Sequence, residues 1–527
     1  MAPARSPDVE AQAWPQEPPV SAAAECEGAS SSATDSSVPG KQQGRPGAIL
    51  GLLTPAQWLY CAFALLAELV LVWLSQQGVT AAPADDGWVC TVAHLMLVCL
   101  YPRAAPPAGA SRSGVARLAV APEAAPAGQQ GPGVGAAAGP AGGGKGRLFF
   151  LDGVKTLCTQ LVLVHHISIA FGGVGGIEWA LRLGQCPGNT FGSLVTIWLL
   201  IPDQSFFMCL LFFVGGIFVP SSLERKGTGE FVRDKLKRLG WPLVVTYFVV
   251  SPLSSGLRGM VLRGGGMLSY VWFEPGVTWF LMTLLILSIS YALVPFPQVA
   301  LPMPSAAGVI SACAALGAAQ GWVSYCQFAL LEVGPLPCGG LPLDVAFFAA
   351  GCVARRSGWM EGLQSMAPRD YWLARLAALV SVVGTGVLAA TVGLAEMMAP
   401  RPGPQVCSGV WLGIMTGGIS VSVLHFFAVH CNSSSRLQKM AGESQYAVYV
   451  LQVIVIPGVI LTLLPILRAA GYTVEFESTS DGTFVSRNEL PQWVIVGGWI
   501  YTVVWVTVIS WPLGYLFRKL PFVRDVL

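Results

Sequence analysis

The chain has 527 residues, of which 54% are hydrophobic and only 11% charged, with a mean hydropathy of +0.61. Soluble domains carry about 25% charged residues, so this composition excludes an ordinary soluble fold and describes a polytopic membrane protein. A formal net charge of +2 leaves no basic field with which to hold nucleic acid.

Residues 1–50 are polar and rich in Pro, Ser and Ala, which reads as a disordered tail without a cleavable signal peptide. Residues 51–102 hold apolar stretches at 56–74 and 88–101, one or two auxiliary transmembrane helices, the second short for a span. The first would act as an uncleaved signal anchor. Residues 103–146 form a linker of Ala, Gly and Pro. The run GGGKGR at 142–147 has no strand before it and no Ser or Thr after its lysine, so it reads as linker and not as a phosphate loop.

Residues 147–527 carry ten apolar segments, near 149–171, 204–220, 240–256, 277–294, 305–323, 343–355, 372–397, 406–430, 445–466 and 493–517. Their lengths predict an all-α membrane bundle of ten core transmembrane helices, preceded by the N-terminal pair. Trp and Tyr cluster near many segment ends, as an interfacial aromatic belt places them.

Every second loop is basic. Lys145 and Arg147 precede the first core segment. Arg225, Lys226, Arg233, Lys235, Lys237 and Arg238 separate the second from the third. Arg355, Arg356 and Arg369 separate the sixth from the seventh, Arg436 and Lys439 follow the eighth, and Arg518, Lys519 and Arg524 follow the tenth. The positive-inside rule places these loops, the N-terminal tail and the C-terminus in the cytoplasm of a multi-pass protein. The opposite loops hold Cys186, Cys326, Cys338 and Cys407, an even number open to disulfide pairing in an oxidising compartment. The other cysteines lie mostly within apolar runs, and neither a CxxC pair nor zinc-type Cys/His spacing occurs, so no metal site is expected.

The first core segment holds the densest chemistry. Asp152, Lys155, His165 and His166 lie inside one apolar helix, where an ionisable group costs several kcal/mol unless it is paired or faces water. At about 100° per residue, Lys155 and His166 fall within roughly 20° of each other and are separated by roughly 16 Å along the axis. Asp152 lies close to the same face, whereas His165 points away. The stripe thus carries an acid, a cation and an imidazole able to act as general base, removing a proton from a hydroxyl whose oxygen then attacks an activated carbonyl. His165 is the alternative base, or else a helix–helix hydrogen-bonding group.

Lys235 and Arg238 open the third segment and, three residues apart, are expected to share a face. Cations at a helix N-terminus oppose the macrodipole unless they and the helix end together grip a phosphate. Ordinary positive-inside charge or contact with lipid headgroups is the competing explanation. Gly215 and Gly216 in the second segment permit close backbone approach. In the ninth segment, Ser444, Tyr446, Tyr449 and Gln452 place polar groups on an apolar helix, with Tyr446 and Tyr449 one turn apart and able to line a cavity. Glu68, His94, His425 and His430 have no evident partner in sequence.

These residues form patterns that resemble the acyltransferase 3 family of integral-membrane acyltransferases. Members open their first core helix with LDGLR and carry a His eleven residues after the Arg; here LDGVK and His166 match, with Lys155 in the Arg position. LFFVGGIFV resembles the family's FFxxSG, KLKRLGWP resembles its basic stretch leading to RLxxP, and Trp279-Phe280-Leu281 match its WFL motif. Tyr446-Ala-Val-Tyr449-Val-Leu-Gln452 is similar to a late YxxYLxH motif. The likeness spans about residues 147–517. Three departures stand out: Lys155 for Arg, which loses the bidentate fork, Gly215 for Ser, and Gln452 for His.

The resemblance implies transfer of an acyl group, commonly acetyl, from acyl-CoA to a hydroxyl of a carbohydrate or lipid-linked acceptor, with no permanently bound cofactor. It implies that Lys155, Lys235 and Arg238 hold the CoA phosphates, that His166 is the base, and that Asp152 orients Lys155. The buried His/Lys/Asp stripe is also compatible with a proton-coupled transporter or exporter, although the halves show no internal repeat, and with a non-catalytic sensor. The single glycosylation sequon, Asn432-Ser433-Ser434, falls on the cytoplasmic side. Digestion with a peptide N-glycosidase is therefore expected to leave the electrophoretic mobility of the cellular protein unchanged; a downward shift abolished by Asn432→Gln would reverse the topology.

Overall fold

The computed structural model describes residues 148–173, 181–183, 189–263, 276–294, 299–326, 340–397, 399, 401–432, 435–478, 484–486, 488–524 and 526. They all belong to one compact unit, 53–527. The tail, the auxiliary helices, the linker, Glu68, His94, Cys186 and Cys338 lie outside the described residues.

Among the described residues, each of the ten apolar segments falls on a long helical rod. These are α1 Phe149–Ala170, α2 Thr190–Lys226, α3 Thr228–Leu262, α4 Trp279–Leu293, α5 Ala306–Cys326, α6 Leu341–Ser357, α7 Pro368–Thr391, α8 Pro402–His430, α9 Arg436–Ala469 and α10 Gln492–Phe517. Seven of them, α2, α3, α5, α7, α8, α9 and α10, are long and apolar enough to cross a membrane. The expectation of ten spans is thus met only in part. The α4 and α6 rods have 15 and 17 residues, and α1, with 22, carries Asp152, Lys155 and two histidines. Trp372, Leu376, Leu379, Val383 and Val387 are all exposed along α7, an apolar surface suited to lipid.

Several rods outrun the apolar stretches that announced them. The α2 and α3 rods continue through polar sequence to a tight reversal at Gly227, whose φ of 72° is open to glycine. Their polar ends are held by Asp234, which pairs with Lys226 at 2.7 Å and with Arg238 at 3.2 Å. The first turn of α9 is closed by Ser435, whose side chain accepts from the Gln438 amide at 3.1 Å.

Three turns inside α2 and α3 are widened, with the amides of Ile201, Trp241 and Ser251 bonding back five residues to the carbonyls of Thr196, Leu236 and Thr246. Each is followed at once by a proline: Pro202, Pro242 and Pro252. A proline ring collides with the carbonyl four residues earlier and donates no amide to it, so the preceding turn expands and the rod runs on.

The α1 rod lies at the centre, packed against α2, α8, α9 and α10. Phe150, Leu151, Val154, Cys158, Leu163 and Ile167 are wholly buried. Central burial explains why α1 need not be apolar all round. The basic helix ends gather on one side: Gly153 at the start of α1 meets Phe427 near the end of α8, Arg518 after α10 pairs with Glu443 at the start of α9 at 2.7 Å, and Arg356 at the end of α6 pairs with Glu224 near the end of α2 at 3.3 Å. At the opposite end, β1 Leu181–Arg182 runs parallel to β3 Phe484–Ser486, which pairs antiparallel with β2 Phe476–Ser478. This small sheet ties the chain leaving α1 to the connection between α9 and α10. Cys407 lies within α8 as a free thiol, while the side chain of Cys326 is not among those described.

The α5 and α8 rods meet along glycines spaced four apart, Gly317 and Gly321 against Gly409, Gly413 and Gly417, so the two backbones touch. A methyl group on Gly413 would fall on the carbonyl oxygen of Cys313. Likewise Gly216 of α2 abuts the Phe348 carbonyl of α6. Gly413→Leu is expected to force α5 and α8 apart and to destabilise the fold by about 1–3 kcal/mol or more, read as a lower unfolding temperature in detergent. Gly497→Ala on α10, where a methyl group meets nothing within 4 Å, should leave that temperature unchanged or raise it.

Candidate active site

The polar stripe of α1 forms as its spacing requires. Lys155 Nζ lies 3.0 Å from Asp152 Oδ1, with Asp152 buried and the Lys155 side chain 22% exposed. The ammonium also sits over the ring of Phe218 on α2, 5.8 Å from its centroid, a contact that favours a cation. Facing this pair is Gly442 of α9, where a methyl group would approach Asp152 Cβ to 2.8 Å.

Further along the same stripe, His166 is half-buried and its Nδ1 lies 3.0 Å from Oε1 of Gln452 on α9. Asp152 meets Gly442 and His166 meets Gln452, so α1 and α9 run parallel and α9 lines the whole stripe. Gln452 is fully buried, and its Nε2 donates to the Tyr449 carbonyl at 2.9 Å. His165 is buried on another face, its ring 5.4 Å from that of Phe207 on α2. The fourth side of α1 is held by α10: Gln160 donates to Thr507 at 2.8 Å and accepts from the Trp511 indole at 2.9 Å, and the Trp499 indole donates to Ser168 at 3.0 Å.

Tyr446 and Tyr449 spend their hydroxyls on backbone. Tyr446 donates to the Arg238 carbonyl at 2.6 Å, and Tyr449 donates to the carbonyl of Val277, just before α4. The Arg238 carbonyl is the one four residues before Pro242, to which that residue has no amide to donate. Both tyrosines therefore act here as ties from α9 to the neighbouring elements. The WFL motif closes the same corner: Phe280 packs on Phe212 at 4.8 Å and edge-on to Tyr449 at 5.9 Å. At Gly215, where family members have Ser, even a methyl group would come within 2.9 Å of Leu284, so the hydroxyl has no room without a shift of that side chain.

The basic pair on α3 is placed differently from the sequence expectation. The rod begins at Thr228, well before Lys235, so neither residue stands at a helix N-terminus and the macrodipole argument does not apply. The widened turn that starts at Leu236 also separates the two around the helix. Lys235 lies half-buried over the Phe231 ring at 5.4 Å, whereas Arg238 turns outward, 57% exposed, to Asp234. Asp234, the counter-ion of Arg238 and Lys226, was not singled out in sequence; its i, i+4 spacing to Arg238 was the available signal. The remaining histidines among the described residues are aromatic partners: His425 stacks on Tyr371 at 4.8 Å, and His430 lies 5.1 Å from Phe426. Two further carboxylates, Asp203 and Asp344, are buried on α2 and α6. Among the described residues no His, Cys, Asp and Glu group is arranged to hold a metal.

Seven helices long and apolar enough to cross a membrane, packed with a central helix that carries an ion pair and a hydrogen-bonded imidazole, describe an integral membrane protein with a polar stripe on its central helix. A family model described as an acyltransferase domain, that of the acyltransferase 3 family, matches residues 148–511, from the start of α1 into α10. The chain belongs to that family and is a membrane acyltransferase. No curated protein and no solved structure matches it.

The Asp152–Lys155 pair gives a test of packing alone. Removing one partner strands a charge in apolar surroundings, a cost of about 3–5 kcal/mol for fully buried pairs, reduced here because Lys155 keeps some exposure. Asp152→Ala should therefore destabilise the protein more than the double variant Asp152→Ala/Lys155→Met, measured by unfolding temperature in detergent. Strictly additive effects would show that the pair is not coupled.

Proposed function

We propose that this acyltransferase moves an acyl group, commonly acetyl, from acyl-CoA to a hydroxyl of a carbohydrate or lipid-linked acceptor, with His166 as general base. The observation that carries the proposal is the single stripe on the central helix: an acid–cation pair at the basic end and an imidazole, held by a neutral amide, roughly 16 Å further along at about 1.5 Å per residue.

In this scheme the phosphates of CoA rest against Lys155, Lys235 and Arg238 at the cytoplasmic end, and Asp152 keeps Lys155 extended along the stripe. Asp152 partly neutralises Lys155 and Asp234 partly neutralises Arg238, so the three cations act together in attracting the phosphates. The pantetheine arm follows the stripe and brings the thioester to His166. The acceptor approaches from the other side. His166 takes the proton of its hydroxyl as the oxygen attacks the thioester carbonyl; the C–S bond breaks, the ester forms, and the proton passes to the departing thiolate, giving CoA. His165, buried against Phe207 on another face, is the alternative base. Acyl-CoA is thus a substrate and no cofactor is held permanently; membrane lipids surround the protein, and its charge offers nothing to nucleic acid.

His166→Ala is expected to lower transfer by about 10²–10⁴-fold, the usual contribution of a positioned base, while the purified variant remains monodisperse in detergent. The readout is transfer of labelled acyl from acyl-CoA by purified protein, together with a mass-spectrometric search for a lost acyl increment in membrane glycans and lipids of cells lacking it. Full turnover by His166→Ala removes the base assignment. Uptake of an acceptor into proteoliposomes with no acyl-CoA consumption replaces the enzyme with a transporter.

A further inference from the structure

We infer that Gln452 is a positioning residue that fixes the tautomer of His166, placing the hydrogen on Nδ1 and the lone pair on Nε2. The inference rests on the assignment of His166 as the base and names the nitrogen that does the work.

The chain of logic starts from an atom of known character. The carbonyl oxygen of Tyr449 can only accept, and one terminal atom of the Gln452 amide lies 2.9 Å from it. That atom must be the amide nitrogen, whichever way the side chain is drawn, because two oxygens would repel. The other terminal atom is then the amide oxygen, and it faces Nδ1 of His166 at 3.0 Å. An amide oxygen also only accepts, so Nδ1 must bring the hydrogen. A neutral imidazole carries one N–H, which leaves Nε2 as the basic nitrogen, on the ring edge turned away from Gln452.

The amide cannot easily rotate out of this role. Gln452 is wholly buried, and Tyr449 is itself held by its hydroxyl on the Val277 carbonyl. A run of polar contacts therefore leads from the turn before α4, through α9, to the ring on α1. The partner is neutral, so it orients the ring without adding the full opposite charge that a carboxylate would bring to the imidazolium.

The test uses the full-length protein in detergent or nanodiscs, with histidine labelled at both ring nitrogens. The chain has five histidines, and the His166→Gln spectrum identifies the signals of His166. In the wild type, long-range correlations should show a protonated Nδ1 and a pyridine-type Nε2. Gln452→Met keeps the volume but removes the acceptor; it should yield mixed tautomers and a kcat reduced by ~10–100-fold, the scale known for groups that orient metal-ligating histidines, with KM for acyl-CoA unchanged. Gln452→Glu retains an acceptor and should restore the Nδ1–H form and most of kcat, while moving the acidic limb of the kcat/KM profile to higher pH. An Nε2–H form in the wild type, or wild-type tautomer and kcat in Gln452→Met, overturns the inference. If Gln452→Met is unaffected while His166→Ala is inactive, the base assignment survives and only the positioning role falls; full activity of His166→Ala removes both.

Discussion

Packed against α2, α8, α9 and α10, the α1 helix has much of its surface cut off from water, and this constraint organises the molecule around it. Its polar side chains must be satisfied by neighbours, because an unpaired polar group in such surroundings costs several kcal/mol. Asp152 and Lys155 satisfy each other. Gln160 is held by Thr507 and Trp511, Ser168 by Trp499, and His166 by Gln452. The neighbours are thus selected by chemistry as well as by shape. The α10 rod supplies two indole donors and a hydroxyl acceptor, and α9 supplies one glycine and one amide at the two ends of the same stripe.

The same arrangement connects the fold to acyl transfer. In the proposed reaction a thioester and a hydroxyl would need a path that tolerates polar atoms, and the stripe of α1 offers polar side chains from a cation at one end to an imidazole at the other. The tyrosines of α9 serve this geometry indirectly. By donating to the carbonyls of Arg238 and Val277, they fix α9 to the elements on its other flank, and so set where Gln452 stands relative to α1.

Much of this was legible in sequence and some was not, for physical reasons that differ by residue. Apolar stretches located every rod among the described residues, because lipid-facing and buried surfaces are both apolar. They missed the rod ends, because the polar ends of α2 and α3 stay helical through ion pairs to Asp234. Of the ten expected spans, seven are long and apolar enough to cross a membrane; α4 and α6 are shorter, and α1 carries Asp152, Lys155 and two histidines. The Asp152–Lys155 pair was readable from one turn of spacing. The partner of His166 was not, since Gln452 is 286 residues away and only tertiary packing brings it near. The Lys235–Arg238 pair was misplaced because a regular helical period was assumed where Pro242 enlarges the preceding turn. The glycine ladder joining α5 to α8 was present as a four-residue repeat and went unused.

The enlarged turns give α2 and α3 an unusual tolerance of chain length. A widened turn holds roughly one residue more than an ordinary one. Losing a single residue between 236 and 240 would let α3 resume regular winding with the faces on either side still in phase, whereas the same loss in an ordinary turn would swing one half of the rod by about 100° about the axis. Phe231, Asp234 and Lys235 all precede this turn, so Lys235 would keep its seat over Phe231. The wide turn is a spare link in the chain, able to give up a residue while the charges on either side keep their bearings.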